Sequence, residues 1–154
     1  MRLYLVRHGE AMPKHLDPER PLSTQGQKDV QKMASFLLPH HLKVREVWHS
    51  GKLRARQTAE ILATAIIPEK ELREVTGLSP NDSIFPVKEK IEKSGESLMI
   101  VGHLPFMDKL LADLLTRGES RDLLTFPAGG IACLEKSDSP SWRLLWFLGP
   151  DLVA

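Results

Sequence analysis

The chain has 154 residues, 42% of them hydrophobic and 27% charged, an ordinary balance for one globular domain able to bury its own core. Basic and acidic residues number 21 and 20, a formal charge of +1, which excludes a general attraction to nucleic acid or an acidic membrane surface. The single cysteine, Cys133, excludes an intramolecular disulfide framework and fits a reducing compartment. Apolar runs such as Leu98-Met99-Ile100-Val101 are strand-sized and cannot span a membrane. Leu3 to Val6 is too short a run for a signal peptide, so a cytoplasmic protein is expected.

Leu3 to Val6 reads as a short buried strand running into Arg7-His8-Gly9-Glu10. Residues 11 to 22, with Pro13, Pro18 and Pro21, read as a surface loop. Ser23 is a good N-cap for a helix over Thr24 to Leu38. Its apolar face is Val30, Met33, Ala34 and Leu37, and Pro39 marks its end. Arg45 to His49 reads as a second strand, after which Ser50 is expected to cap a helix to Ala65 with Ala55, Ala59, Leu62 and Ile66 on one side.

A short strand over Glu71 to Val75, a turn over Gly77 to Asp82 and a weaker helix over Ser83 to Lys93 follow. Ser97 to Val101 is the clearest strand and stops at Gly102-His103. Pro105 opens the next helix, where a missing N–H costs little, with Met107, Leu110, Leu111, Leu114 and Leu115 buried and Gly118 at its C-terminal cap. Ile131 to Glu135 and Trp142 to Phe147 read as a strand pair. The alternation predicts an α/β fold in three layers, a mostly parallel central sheet with helices on both faces and a C-terminal antiparallel strand pair. One domain over residues 1–154, without a sizeable cap insertion, is expected.

Ligands of open α/β sheets bind beyond the carboxyl ends of the strands. The first strand delivers Arg7 and His8 there, the second leads into Ser50 and Arg54, and the Ser97 to Val101 strand delivers His103. Two arginines and two histidines suit a phosphoryl group: guanidinium forks match its oxygens, and a helix N-terminus adds free N–H groups. A histidine in such a pocket can be a nucleophile, since phosphoryl transfer needs an in-line attacker and charge compensation. One histidine would attack while the other, if protonated, would stabilise the oxygens.

Four segments carry a resemblance: Arg7-His8-Gly9-Glu10, Pro21-Leu22-Ser23 through Gly26, Ser50 to Ala59, and Gly102-His103-Leu104-Pro105. In this order they resemble the histidine phosphatase superfamily, also called phosphoglycerate-mutase-like. The tail from Phe126 through Trp142 to Pro150 is similar to its small branch, the SixA-type phosphohistidine phosphatases. The resemblance implies that His8 is the nucleophile and passes through a phosphohistidine intermediate. It also implies that Arg7, Arg54 and His103 form the phosphate pocket and that no metal or other cofactor takes part. Arg20, just before the Pro-Leu-Ser motif, is a weaker candidate for a further phosphate contact. Gly51 stands where the family often has proline, a change expected to affect only the helix entry. No general acid is obvious; Glu74 is the best placed candidate, with Glu10 behind it.

Other readings carry less weight. Arg56 and Lys52 read as a solvated helix face. His15, His40, His41 and His49 lack the Cys/His spacing of a zinc site. Cys133 is not the nucleophile of a CX5R loop, because Ser139 stands where arginine is needed, and no Walker A pattern is present. Trp48, Trp142 and Trp146 are expected in the core.

Two arguments favour a phosphohistidine-bearing protein as substrate. Only 49 positions separate Arg54 from His103, leaving little chain for a lid, and an open site suits a side chain presented by another protein. An imidazole leaving group can also be protonated on its own ring, whereas an alkoxide needs an acid from the enzyme. A phosphomonoesterase or mutase acting on a small phosphoester is the alternative, and an inactive phosphate-binding module is more remote. No nucleic-acid or membrane partner is expected.

Overall fold

A computed structural model of the chain describes residues 1–118 and 122–153. In chain order the elements are β1 (Arg2–Arg7), α1 (Thr24–Leu37), β2 (Glu46–His49), α2 (Leu53–Ile66), β3 (Arg73–Glu74), α3 (Phe85–Ser94), β4 (Leu98–Gly102), α4 (Phe106–Thr116), β5 (Ile131–Glu135) and β6 (Arg143–Leu148). The strands form one six-stranded sheet in the order β3-β2-β4-β1-β5-β6. β3, β2, β4 and β1 are mutually parallel; β5 runs antiparallel to β1, and β6 antiparallel to β5. The sheet is therefore mostly parallel with an antiparallel C-terminal pair, as the alternation predicts.

The centre of the sheet is covered on both faces, which is why β1 and β4 read as continuous apolar runs. Along β1, Tyr4 and Val6 join Val30, Met33 and Leu37 of α1 and Ala55, Ala59 and Leu62 of α2. Leu3 and Leu5 point the other way, into Val87 and Ile91 of α3 and Phe106, Leu110 and Leu111 of α4. The period-2 alternation of β1 thus meets two helical stripes spaced by three and four residues, giving three layers. Trp48 and Trp142 are buried, and Trp146 packs from the edge against the α1/α2 side with its ring 6.1 Å from Tyr4.

Local chemistry sets the helix starts. Ser23 Oγ accepts the Gly26 N–H at 3.0 Å, the expected cap of α1. Gly26 brings that first turn against the backbone of Glu10, where a Cβ would stand 2.0 Å from the Glu10 carbonyl oxygen. Pro39 ends α1, and the chain passes through a single 3-10 turn at Leu38–His40.

Three expectations change in detail. β3, at the edge of the sheet, has two paired residues instead of five, Trp48↔Arg73 and His49↔Glu74. α3 begins at Phe85 after the Ser83 hydroxyl accepts the Phe85 N–H at 3.3 Å. α4 is ended by Arg117 in a left-handed conformation (φ 55), one residue before Gly118. No helix among the described residues is long and apolar enough to cross a membrane.

Candidate active site

Because β1, β2 and β4 are parallel, their carboxyl ends share one edge. Arg7 lies in register with Gly102, so the residues that follow them, His8 and His103, become neighbours. The His8 N–H donates to the Gly102 carbonyl at 3.0 Å, and the two imidazole rings stand 5.0 Å apart at 54°.

The tautomer of His8 follows from one contact. Its Nδ1 lies 2.7 Å from the Gly9 carbonyl oxygen, which only accepts, so Nδ1 carries the proton and Nε2 keeps its lone pair. Gly9 is held in turn, its N–H donating to Thr58 Oγ1 at 3.0 Å while the Thr58 hydroxyl donates to the Arg54 carbonyl at 2.8 Å. Thr58, 0% exposed, therefore ties the first turn of α2 to the segment that aims His8. It lies four residues after Arg54, one helical turn on, and sequence reasoning assigned it no role.

Arg7 donates from Nη1 to the Phe126 carbonyl at 2.7 Å. Burial lowers its pKa, and the negative charge of Asp108 opposes that shift. Arg54, at the start of α2, is lowered by burial and then by the charge of Arg20. Arg20 sits in a left-handed backbone conformation (φ 50) and donates from Nε to the Met12 carbonyl at 3.1 Å. Its charge bears on His8, Arg54 and His103 alike, so Arg20 joins the cluster although it lies on a loop.

Cations and burial set both histidines. His8 is pushed down to about 4, first by burial, against the Gly9 carbonyl and with Arg54, Arg7 and Arg20 adding to the shift. His103 falls to about 3, first by burial and then by His8, Arg54, Lys52 and Arg20. Both rings are neutral near pH 7. For His103 this follows first from burial and then from the cations around it, so the condition attached to the second histidine, that it be protonated, is disfavoured in the unliganded pocket. Lys52 is exposed, yet close enough to act on His103.

Three nitrogens of this cluster are buried without a hydrogen-bond partner: Arg7 Nε, Arg54 Nε and His103 Nδ1. An unpaired buried donor costs roughly 1–3 kcal/mol. The two guanidinium nitrogens are donors suited to an oxyanion; what His103 Nδ1 offers depends on which ring nitrogen carries the proton.

Ser50 does not cap α2. The N-cap is Lys52, without a side-chain bond, and the Ser50 hydroxyl shares a 2.6 Å hydrogen bond with His103 Nε2. Gly51 affects more than the helix entry. Its φ is +87, and a Cβ there would stand 1.6 Å from Glu74 Oε1, so the absent side chain is what admits the Glu74 carboxylate beside this turn. Glu74 also acts on His49, whose Nδ1 accepts the Gly51 N–H at 3.1 Å. Glu10 is exposed, and its carbonyl accepts the Ser23 N–H at 2.9 Å. Of the two candidate acids, Glu74 adjoins the Ser50 turn, and Glu10 is tied through its backbone to the start of α1.

His15, His40 and His41 are exposed. Cys133 is a free, buried thiol in β5. Among the described residues no group of three or more His, Cys, Asp or Glu side chains could hold a metal ion.

The model of the histidine phosphatase superfamily (branch 1) matches residues 3–78. Phosphohistidine phosphatase SixA of Escherichia coli (strain K12) is 26% identical over 155 residues, covering 97% of this chain and 94% of that protein. An uncharacterized protein of Picosynechococcus sp. is 32% identical over 139 residues, covering 85% of this chain and 82% of that one. Among solved structures, the protein histidine phosphatase SixA complexed with tungstate superposes with a TM-score of 0.85 at 26% identity, covering 98% of each chain. The chain belongs to the histidine phosphatase superfamily, in its SixA-type branch.

Proposed function

We propose that the protein is a phosphohistidine phosphatase that removes phosphate from a phosphorylated histidine of another protein through a covalent phospho-His8 intermediate. The observation that carries this reading is the neutral, Nδ1-protonated His8 beside unpartnered nitrogens on Arg7, Arg54 and His103. Such a site has a nucleophilic lone pair and an empty set of donors for the oxygens that carry charge in phosphoryl transfer. The SixA relative, solved with tungstate, is named for the same chemistry.

In the first step the His8 Nε2 lone pair attacks phosphorus. The bond from phosphorus to the substrate imidazole breaks, and the departing nitrogen keeps the electron pair; because the other nitrogen of that ring already carries a proton, the imidazole leaves neutral and needs no proton from the enzyme. Water then attacks phosphorus, the bond to His8 Nε2 breaks, and inorganic phosphate leaves with His8 neutral again. Arg7, Arg54 and Arg20 balance the charge of the equatorial oxygens, the part that metal ions take in other phosphoryl-transfer sites.

Between α2 and β4 the chain is taken up by the two residues of β3 and the ten of α3 with their turns, which supports a single domain with an open pocket. His8, Arg7 and Arg54 are half-buried and can be reached by a presented side chain. The charges acting most on His8 are Arg54, Arg7 and Arg20, with no carboxyl group among them; a leaving group that carries its own ring proton needs no such acid, whereas an alkoxide does.

One observation favours the second reading, a phosphomonoesterase for small phosphoesters: Glu74 lies on Gly51, beside the serine that meets His103, where it could protonate an alkoxide. Comparing kcat/KM for a phosphohistidine protein and for p-nitrophenyl phosphate and glycerol phosphate separates the two. The phosphohistidine protein is expected to lead by about a hundredfold or more, with Glu74→Gln lowering its rate by less than about threefold. Preference for glycerol phosphate, with both rates falling in Glu74→Gln, would turn the assignment to the second reading.

A further inference from the structure

The Ser50 hydroxyl lies 2.6 Å from His103 Nε2, and the same oxygen accepts the Lys52 N–H at 3.3 Å. On the other side of the ring, His103 Nδ1 is buried and without a partner, in a residue that is 1% exposed. A neutral imidazole has one ring proton, and its position decides what the ring offers a ligand. With the proton on Nε2, Ser50 accepts it and Nδ1 turns a lone pair toward its surroundings, which repels a phosphoryl oxygen. With the proton on Nδ1, the Ser50 hydroxyl donates to Nε2 while its oxygen accepts from Lys52, and Nδ1 becomes a donor awaiting an acceptor.

The geometry points to Ser50 as a positioning residue: by donating its proton to His103 Nε2 it holds the ring as the Nδ1–H tautomer, so that Nδ1 offers an N–H to a phosphoryl oxygen. This rests on the phosphatase reading of the same site and identifies the second histidine as a neutral donor. The low proton affinity of the ring agrees with it, since a ring that stays neutral near pH 7 has to have its single proton placed. The local fold agrees as well. The turn bends at Gly51 (φ +87), and α2 starts two residues later from Lys52 without a side-chain cap. The hydroxyl that would ordinarily cap that helix is committed to His103.

Long-range nitrogen–proton NMR correlation on the whole protein reads the tautomer directly. Wild type is expected to show His103 Nδ1 as protonated and Nε2 as pyridine-like, Ser50→Ala to show a mixture or the reverse, and Ser50→Thr to keep the wild-type pattern. Inhibition by inorganic phosphate is expected to weaken by about tenfold in Ser50→Ala and to return to within about threefold of wild type in Ser50→Thr. A wild-type ring protonated on Nε2 overturns the assignment, whether or not any variant folds. So does a Ser50→Ala protein that keeps both the tautomer and the phosphate inhibition. If the tautomers and the phosphate affinity behave as stated while neither phosphohistidine nor phosphoester is turned over, the phosphatase reading fails and the role of Ser50 stands.

Discussion

His8→Ala is expected to lower turnover of a phosphohistidine substrate by about 10³-fold or more, since removal of a covalent nucleophile leaves only binding and charge stabilisation. The fold should survive. His8 is half-buried at the end of β1, and the four preceding side chains, Leu3 to Val6, hold the strand in the core. Steady-state assays paired with thermal unfolding check this: near-wild-type melting with lost turnover is the expected result. A His8→Ala protein retaining more than about a tenth of wild-type turnover would remove His8 from the chemistry.

Arg54→Ala is expected to cost about 10²- to 10³-fold in kcat/KM, the range for deleting one pre-organised donor to developing negative charge. It carries a second signature. Burial is the main force holding His8 at about 4, and Arg54 is the largest of the charges adding to it. Removing a cation makes protonation easier, so the His8 pKa should rise and the His8 ring should titrate at higher pH, followed through its carbon-bound protons by NMR. Arg54→Lys keeps the charge but loses the fork, so it should hold the His8 titration near wild type while recovering only part of the rate. Loss of rate in Arg54→Ala with an unmoved His8 titration would place the guanidinium too far away for the role described.

The same physics explains what could be read from the sequence. β1 and β4 are legible because central parallel strands are buried on both faces, and their apolar runs end where the chemistry begins. Arg7, His8, Arg54 and His103 follow from that rule, since each lies at or just beyond the carboxyl end of a parallel strand. The tertiary partners are not legible. Ser50 has the composition of a helix cap, and only the arrival of β4 gives its hydroxyl to His103. Gly51 reads as a local change until β3 brings Glu74 over it. The protonation of His103 depends on Arg54, Lys52 and Arg20, which come from two other segments of the chain. The Thr58 hydroxyl bonds to the backbone of Gly9 and Arg54, and Phe126 offers its own carbonyl to Arg7, pairings that residue types do not announce. Arg20 has a weak sequence signal because it lies on a loop, yet its charge reaches the whole cluster.

The central claim is that the phosphoryl group passes through His8, and trapping that species tests it most directly. The wild-type protein would be mixed briefly with radiolabelled phosphohistidine protein prepared with phosphoramidate, then quenched in alkali and digested. The account predicts an alkali-stable, acid-labile phosphate on the peptide that contains His8, formed at least as fast as steady-state turnover and absent from His8→Ala. Turnover with no such species, or label on His103 in place of His8, would contradict it.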